Sequence, residues 1–154
     1  MSSDLDALAA AVRGRHAILF AGAGVSMCVG LPSWSELIAH MCAELQLDPH
    51  TFPAAETGYH TLAEYYRLKM GSIGPLRSWM DKSWCVSEER VRHSRVHELI
   101  VSLGFPIIYT TNYDANLEVA FTVFGEEYVK VASARDVARA QSGATQIVKF
   151  HGDF

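Results

Sequence analysis

Three short apolar runs in this 154-residue chain are each followed directly by a glycine-rich or polar cluster. The runs are Ala17 to Phe20, Ile107 to Tyr109 and Ile147 to Phe150, and stretches with helical spacing separate them. This alternation predicts an α/β fold, a Rossmann-like parallel sheet with helices on both faces. In such sheets ligands bind beyond the carboxyl ends of the strands, so the three clusters are expected to line one crevice.

The first cluster runs from Ala21 to Ser26 and contains two glycines. Without a Cβ atom, Gly22 and Gly24 let the backbone turn tightly and approach a phosphate, which free N–H groups and the Ser26 hydroxyl can bind. The spacing is not the dinucleotide fingerprint, because Met27 stands where the third glycine would fall. The cluster therefore indicates nucleotide binding, but a structural turn with Ser26 as a helix cap remains open.

The second cluster is Thr110-Thr111-Asn112-Tyr113-Asp114, and the third is Lys149-Phe150-His151-Gly152-Asp153. They supply an amide, a carboxylate and an imidazole, which are groups that can hold a hydroxyl or move a proton. Asparagine and aspartate are also common turn formers after a strand, and a lone histidine is usually structural. Only the presence of all three clusters together favours a role in binding or catalysis over a purely structural role in turns.

In this order, G-A-G-x-S, T-x-N-x-D and H-G resemble the Sir2 family of NAD-consuming enzymes. The resemblance is greatest to its prokaryotic Sir2-like branch associated with antiphage defence, and it extends from about Ala17 to the last residue. It implies that residues 1–154 are the N-terminal portion of a longer NAD-binding domain. Two further helices are predicted, from Tyr59 to Met70 and from Ile73 to Trp79. They are expected to form a small helical cap, inserted at roughly 45–90.

The resemblance implies hydrolysis of NAD+ to nicotinamide and ADP-ribose. Asn112 would hold a ribose hydroxyl or the attacking water, and His151 would be the general base. Asp114 would orient the nicotinamide carboxamide or preserve the active geometry. The residues expected to contact NAD+ are Ala21, Gly22, Ala23, Gly24, Ser26, Pro32, Trp34, Thr111, Asn112, Asp114 and His151.

Two other functions remain open. A noncatalytic sensor of NAD+ or ADP-ribose needs the glycine cluster but has no evident use for a base at the ribose. A protein deacylase is disfavoured, because Trp34-Ser35 stands where deacylases usually have Phe-Arg, and because they hold a structural zinc with paired cysteines. Cys28, Cys42 and Cys85 are widely separated, which indicates reduced thiols and no zinc.

Composition and the remaining motifs restrict the partners. The net charge of −4 and the absence of a Lys/Arg cluster argue against direct nucleic-acid binding. A polar N-terminus and the lack of a long apolar run argue against a membrane segment, so a cytoplasmic protein is expected. The resemblance implies an oligomer, controlled by a downstream sensor region or a separate activating partner.

The local sequence patterns also predict structural roles for individual residues. A helix is predicted from Ser33, whose spacing to Glu36 fits a capping box. Trp34 is expected to anchor its loop against the core. His93 and His97 lie four apart on a predicted helix from Arg92 to Leu103. A metal site there is disfavoured because no third ligand is spaced nearby, and His97 is expected to be structural.

Overall fold

The computed structural model describes residues 2–49, 56–138 and 143–152. The chain divides into two compact units, one made of Met1–Gly30 and Val86–Phe154 and the other of Leu31–Cys85. The first unit contains the whole sheet, whereas the described part of the second is helical.

The sheet has four strands, which are β1 (Leu19–Ala21), β2 (Ile107–Thr110), β3 (Tyr128–Val131) and β4 (Thr145–Lys149). Their spatial order is β1-β2-β4-β3, and all three neighbouring pairs are parallel. This confirms the predicted parallel α/β sheet. Each run of the sequence overlaps a strand, although β1 begins at Leu19 and not at the predicted Ala17, and β4 ends at Lys149, one residue before the predicted Phe150.

Nine helices are described. Numbered along the chain, they are α1 (Ser2–Arg13), α2 (Ala23–Met27), α3 (Trp34–Leu45), α4 (Glu56–Met70), α5 (Gly74–Ser83), α6 (Glu88–Arg92), α7 (Arg95–Ser102), α8 (Asn116–Phe124) and α9 (Ala134–Val137). The predicted single helix from Arg92 to Leu103 is wrong, because Ser94 adopts an extended backbone and caps a new helix, α7. Helix α2 directly after the glycine turn was not predicted.

One face of the sheet forms the core of the first unit. Ile108 and Ile147 are fully buried at its centre. Helix α8 lies on this face, because the Phe121 ring centroid is 5.7 Å from that of Tyr128. Burial of such aliphatic and aromatic surface is the main source of stability in a unit of this size.

The opposite face carries an aromatic row near the ends of the strands. The Phe150 ring centroid is 5.8 Å from that of Phe20 and 5.2 Å from that of Tyr109. Phe20 is 63% exposed and Phe150 is 55% exposed. In the described ranges, therefore, no helix covers this part of the face.

The second unit packs α3, α4 and α5 around its own apolar cluster. Its buried members are Leu37, Ile38, Met41, Cys42, Leu62, Tyr66 and Met80. Trp34 does not anchor the core as expected: it is the first residue of α3, one turn before the buried stripe begins, and is 57% exposed. The assignment of a helical insertion at roughly 45–90 stays a prediction.

The predicted capping box at the start of α3 is confirmed. The Ser33 hydroxyl accepts from the Glu36 backbone N–H at 3.3 Å, and the Glu36 carboxylate accepts from the Ser33 N–H at 2.6 Å. The two residues thus satisfy donors that the first turn of a helix leaves without partners. None of the described helices is long and apolar enough to cross a membrane.

Substitution Ser33→Ala should destabilise the second unit by about 0.5–2 kcal/mol, because an N–H of the first turn loses its acceptor. The matched control is Ser35→Ala on the exposed surface of the same turn, which should cost little. Urea unfolding of both variants measures the difference. Equal midpoints for the two variants would contradict a stabilising role for the cap.

Candidate functional site at the carboxyl ends of the strands

Parallel pairing aligns the ends of three strands. Ala21 is the register partner of Thr110, and Thr110 is the partner of Lys149. The Phe150 N–H donates to the Thr110 carbonyl at 3.0 Å, which extends the pairing one residue past β4. The three sequence clusters therefore begin in one row, at the edge of the sheet where open α/β folds bind ligands.

The side chain of Asn112 joins the second cluster to the first. Its Nδ2 donates to the Gly22 carbonyl oxygen at 3.0 Å and to Ser26 Oγ at 2.8 Å. Because the Gly22 carbonyl can only accept, these contacts fix which end of the amide is nitrogen. Both N–H donors are thus used within the protein, and no described residue donates to Asn112 Oδ1.

Asp114 is held in the same network. Ser26 Oγ donates to Asp114 Oδ2 at 2.6 Å, and the Asn116 backbone N–H donates to Oδ1 at 3.1 Å. A hydroxyl that accepts from Asn112 and donates to Asp114 makes Ser26 the link between the two residues. Ser26 is also buried. It lies inside α2, whose N-cap is Gly22, and no side-chain cap bond is present there. Its contacts therefore favour this internal role over capping of the helix.

The two glycines of the first cluster are not required by the backbone. Neither Gly22 nor Gly24 has a positive φ angle. A Cβ atom built at either position would meet nothing within 4 Å. The absence of a side chain there leaves open space that the described residues do not fill, as a closely approaching ligand would need.

His151 is the middle residue of the third cluster and is exposed. Its ring centroid is 5.8 Å from that of Tyr113, the residue between Asn112 and Asp114. The structure thus brings the imidazole beside the second cluster without using it in a hydrogen bond to a described residue. An exposed imidazole in this position is available to a bound molecule.

The other residues predicted to contact NAD+ differ in their exposure and in the unit to which they belong. Ala21 is 2% exposed, so only its backbone could reach a ligand, whereas Ala23 is exposed and Thr111 is half-buried. Pro32 and Trp34 belong to the second unit, not to the one that carries this network. Asp153, in the third cluster, lies outside the described residues.

Sequence reasoning missed one residue of the third cluster. The Lys149 side chain is fully buried, and its Nζ is 3.1 Å from Glu118 Oε1. The same ammonium donates to the carbonyl oxygens of Tyr113 and Asp114. A lysine within a strand run gives no sign of this in the sequence, because its partners are more than 30 residues away.

The two histidines weighed as metal ligands are separated by the break between α6 and α7. His93 is the C-cap of α6, whereas His97 lies inside α7 and is fully buried. Across the described ranges, no group of three or more His, Cys, Asp or Glu side chains is arranged to hold a metal ion. All three cysteines are free thiols.

His97 is a buried histidine that interacts electrostatically with Asp114. Its Nδ1 lies 2.8 Å from Ser94 Oγ, while its Nε2 is buried and has no hydrogen-bond partner among the described residues. Burial lowers the pKa of His97 below its usual 6.5, and the charge of Asp114 opposes this decrease. The neutral imidazole is therefore the form that the folded protein favours.

Known proteins are similar to this chain in sequence. Residues 106–154 match the family model described as a SIR2-like domain. The NAD(+) hydrolase ThsA of Enterococcus faecium is 32% identical over 145 residues, which cover 93% of this chain and 29% of that protein. These matches confirm the predicted resemblance to the Sir2 family.

Other SIR2-like relatives agree. The NAD(+) hydrolase ThsA of Bacillus cereus (strain MSX-D12) is 30% identical over 149 residues, covering 92% of this chain and 29% of that protein. The defense-associated sirtuin 2 of Bacillus subtilis is 27% identical over 147 residues, covering 92% of this chain and 14% of that protein. The chain thus spans less than a third of the length of these relatives.

Acid should destabilise the first unit through His97. Above the usual pKa of 6.5 the histidine is neutral in both the folded and the unfolded chain. As the pH falls below that value, only the unfolded chain takes up the proton, so the free energy of unfolding decreases until the lower folded pKa is passed. Substitution His97→Asn should reduce this acid sensitivity, because the amide does not titrate.

Urea unfolding of both proteins at about pH 5.5 and about pH 7.5 gives the comparison. Other groups that titrate in this range contribute to both proteins, so the difference between them isolates His97. The same loss of stability in the variant as in the original sequence would rule out this effect.

Proposed function

We propose that this chain forms the NAD+-binding and catalytic part of a Sir2-like NAD+ hydrolase. The observation that carries the proposal is the state of Asn112, whose amide nitrogen is fully used by Gly22 and Ser26 while its oxygen is free of described donors. The two bonds of the nitrogen hold this oxygen in a fixed orientation beside the glycine cluster. The names of the ThsA relatives support the choice of NAD+ as substrate.

The reaction breaks the bond between the ribose C1′ carbon and the nicotinamide nitrogen. Nicotinamide leaves as a neutral molecule and takes the bonding electrons, so no strong acid is needed to expel it. Positive charge develops on the ribose, and a water oxygen forms the new bond to C1′. The protein must therefore orient the ribose and the water and accept a proton from the water.

The residues of the first unit fit these needs. Asn112 Oδ1 can accept a hydrogen bond from a ribose hydroxyl or from the attacking water and so fix its position. His151 is exposed beside Tyr113 and can take the proton as general base. Asp114 is bonded to Ser26 and Asn116, which favours the geometry-preserving role over direct contact with the nicotinamide carboxamide.

The open space above Gly22 and Gly24 is where we place the pyrophosphate. Helix α2 begins directly after Gly22, and the first N–H groups of a helix have no partner within it. Phosphate oxygens can accept from such groups if no side chain intervenes. Ala23, Thr111, Pro32 and Trp34 are further proposed contacts, carried over from the family resemblance.

A noncatalytic sensor is the second candidate function. The glycine cluster supports it as well as the hydrolase, but a sensor has no evident use for both an Asn112 oxygen without a described donor and an exposed histidine beside Tyr113. By analogy with the named defence relatives, we further propose a cytoplasmic antiphage effector that works as an oligomer under an activating region or partner.

The test is chromatographic detection of nicotinamide and ADP-ribose after the full-length protein is incubated with NAD+. Asn112→Ala and His151→Ala should each lower turnover at least about 100-fold, because they remove the orienting oxygen and the base. His93→Ala, at an exposed position on another loop, is the matched control and should leave turnover unchanged.

Adding an acylated peptide separates the enzymatic alternatives. Release that does not depend on the peptide supports hydrolysis, whereas release only with the peptide would indicate a deacylase. Tight NAD+ binding without product under activating conditions would overturn the enzyme proposal and leave the sensor.

Substitution Gly24→Ala should separate ligand binding from folding. The added methyl group meets no protein atom, and alanine favours the helical conformation of α2, so stability should stay equal or rise by up to about 1 kcal/mol. The KM for NAD+ should nevertheless rise about tenfold, because the methyl group enters the space proposed for phosphate. Steady-state kinetics and thermal unfolding of the same variant test both parts, and an unchanged KM would contradict the placement.

A further inference from the structure

The buried ammonium of Lys149 connects the strand that precedes His151 to the loop that carries Asn112 and Asp114. Its Nζ donates to the Tyr113 carbonyl oxygen at 3.0 Å and to the Asp114 carbonyl oxygen at 2.8 Å. It also donates to Glu118 Oε1 at 3.1 Å, on the first turn of α8. These acceptors belong to one continuous stretch, from the end of β2 into α8.

A buried lysine is costly unless its charge is compensated. The Lys149 side chain is 0% exposed, and that of Glu118 is 8% exposed. Removing two such charges from water costs free energy that their attraction only partly repays, so an ion pair of this kind is weak support for stability. The two carbonyl contacts give the lysine another use, because they fix the two peptide groups on either side of the Asp114 Cα atom.

The position of Lys149 in the sheet makes these contacts relevant to the site. Lys149 is the register partner of Thr110, and His151 follows it by two residues, as Asn112 follows Thr110. The Phe150 N–H bonds to the Thr110 carbonyl, so the backbone between Lys149 and His151 is also tied to β2. The lysine therefore sets the position of the Asn112 loop relative to the strand end that carries the imidazole.

We propose that Lys149 is a positioning residue, whose bonds to the Tyr113 and Asp114 carbonyls hold Asn112 and His151 in register for the reaction. Its value lies in these two carbonyl bonds and not in the ion pair with Glu118. The kinetic part of this inference rests on the proposed NAD+ hydrolysis.

Two substitutions in the full-length protein distinguish the bonds from the ion pair. Lys149→Met keeps an unbranched stem but removes all three donors. Glu118→Gln keeps the lysine and its carbonyl bonds and removes only the negative charge. The double variant leaves no unpaired buried charge, so it provides a folded form if either single variant is unstable. Lys69→Met, on the exposed surface of α4, is the matched control.

Lys149→Met and the double variant should lower kcat about 10- to 100-fold, with KM changed less than about threefold, because a misplaced catalytic group costs turnover more than binding. Glu118→Gln and Lys69→Met should keep kcat within about threefold. Equal losses in Glu118→Gln and Lys149→Met would overturn the proposal, since the ion pair would then be responsible. Unchanged kcat in Lys149→Met would also overturn it.

Hydrogen exchange of the backbone amides at 111–117 provides a readout that does not depend on turnover. Exchange there should be at least about fivefold faster in Lys149→Met than in Glu118→Gln, because only the first releases the loop. Equal exchange would show that the lysine does not hold the loop. If the unsubstituted protein released no nicotinamide, the proposed function would fail, and this comparison would still decide whether Lys149 anchors the loop.

Discussion

The parallel register of β1, β2 and β4 places Ala21, Thr110 and Lys149 in one row, and the candidate site depends on that row. Residues that are about 90 positions apart in the chain can bond only because the strands end at the same level. Once the ends are aligned, an amide, a hydroxyl and a carboxylate close into one network. A shift of one residue in any pairing would turn the strand side chains to the opposite face of the sheet and displace the segments that follow the strands.

Polar residues that look equivalent in the sequence differ in which of their atoms form hydrogen bonds within the protein. Ser26 is buried and links Asn112 to Asp114, so its hydroxyl is committed to the protein. The Asn112 nitrogen is committed in the same way, which leaves the oxygen as the group for a ligand. His151 forms no hydrogen bond to a described residue. The site therefore combines an internally fixed acceptor with an exposed imidazole, and Lys149 donates to backbone carbonyls of the loop that carries the first.

The strand and helix alternation was predictable because apolar runs and helical spacing are local properties. The capping box at Ser33 was predictable for the same reason. The break at Ser94 was not, because a long helix and two short helices share the same apolar spacing, and a serine within it caps only when the chain turns. This break separated His93 from His97 and removed the basis for a shared metal site. The exposure of Trp34 was equally invisible, since ring size predicts burial only on average.

The sequence by itself determined the class of fold, the order of the three clusters and the resemblance to the Sir2 family, because these depend on residue types and their spacing along the chain. The tertiary structure decided which atoms of Asn112 and Asp114 are already bonded, and it revealed Lys149 as a partner of the Tyr113 and Asp114 carbonyl oxygens. Except for the bond between Asp114 and Asn116, those contacts join segments that lie 31 to 90 residues apart in the sequence. Hydrogen bonding over such distances is set by strand register and side-chain burial, which no local pattern encodes.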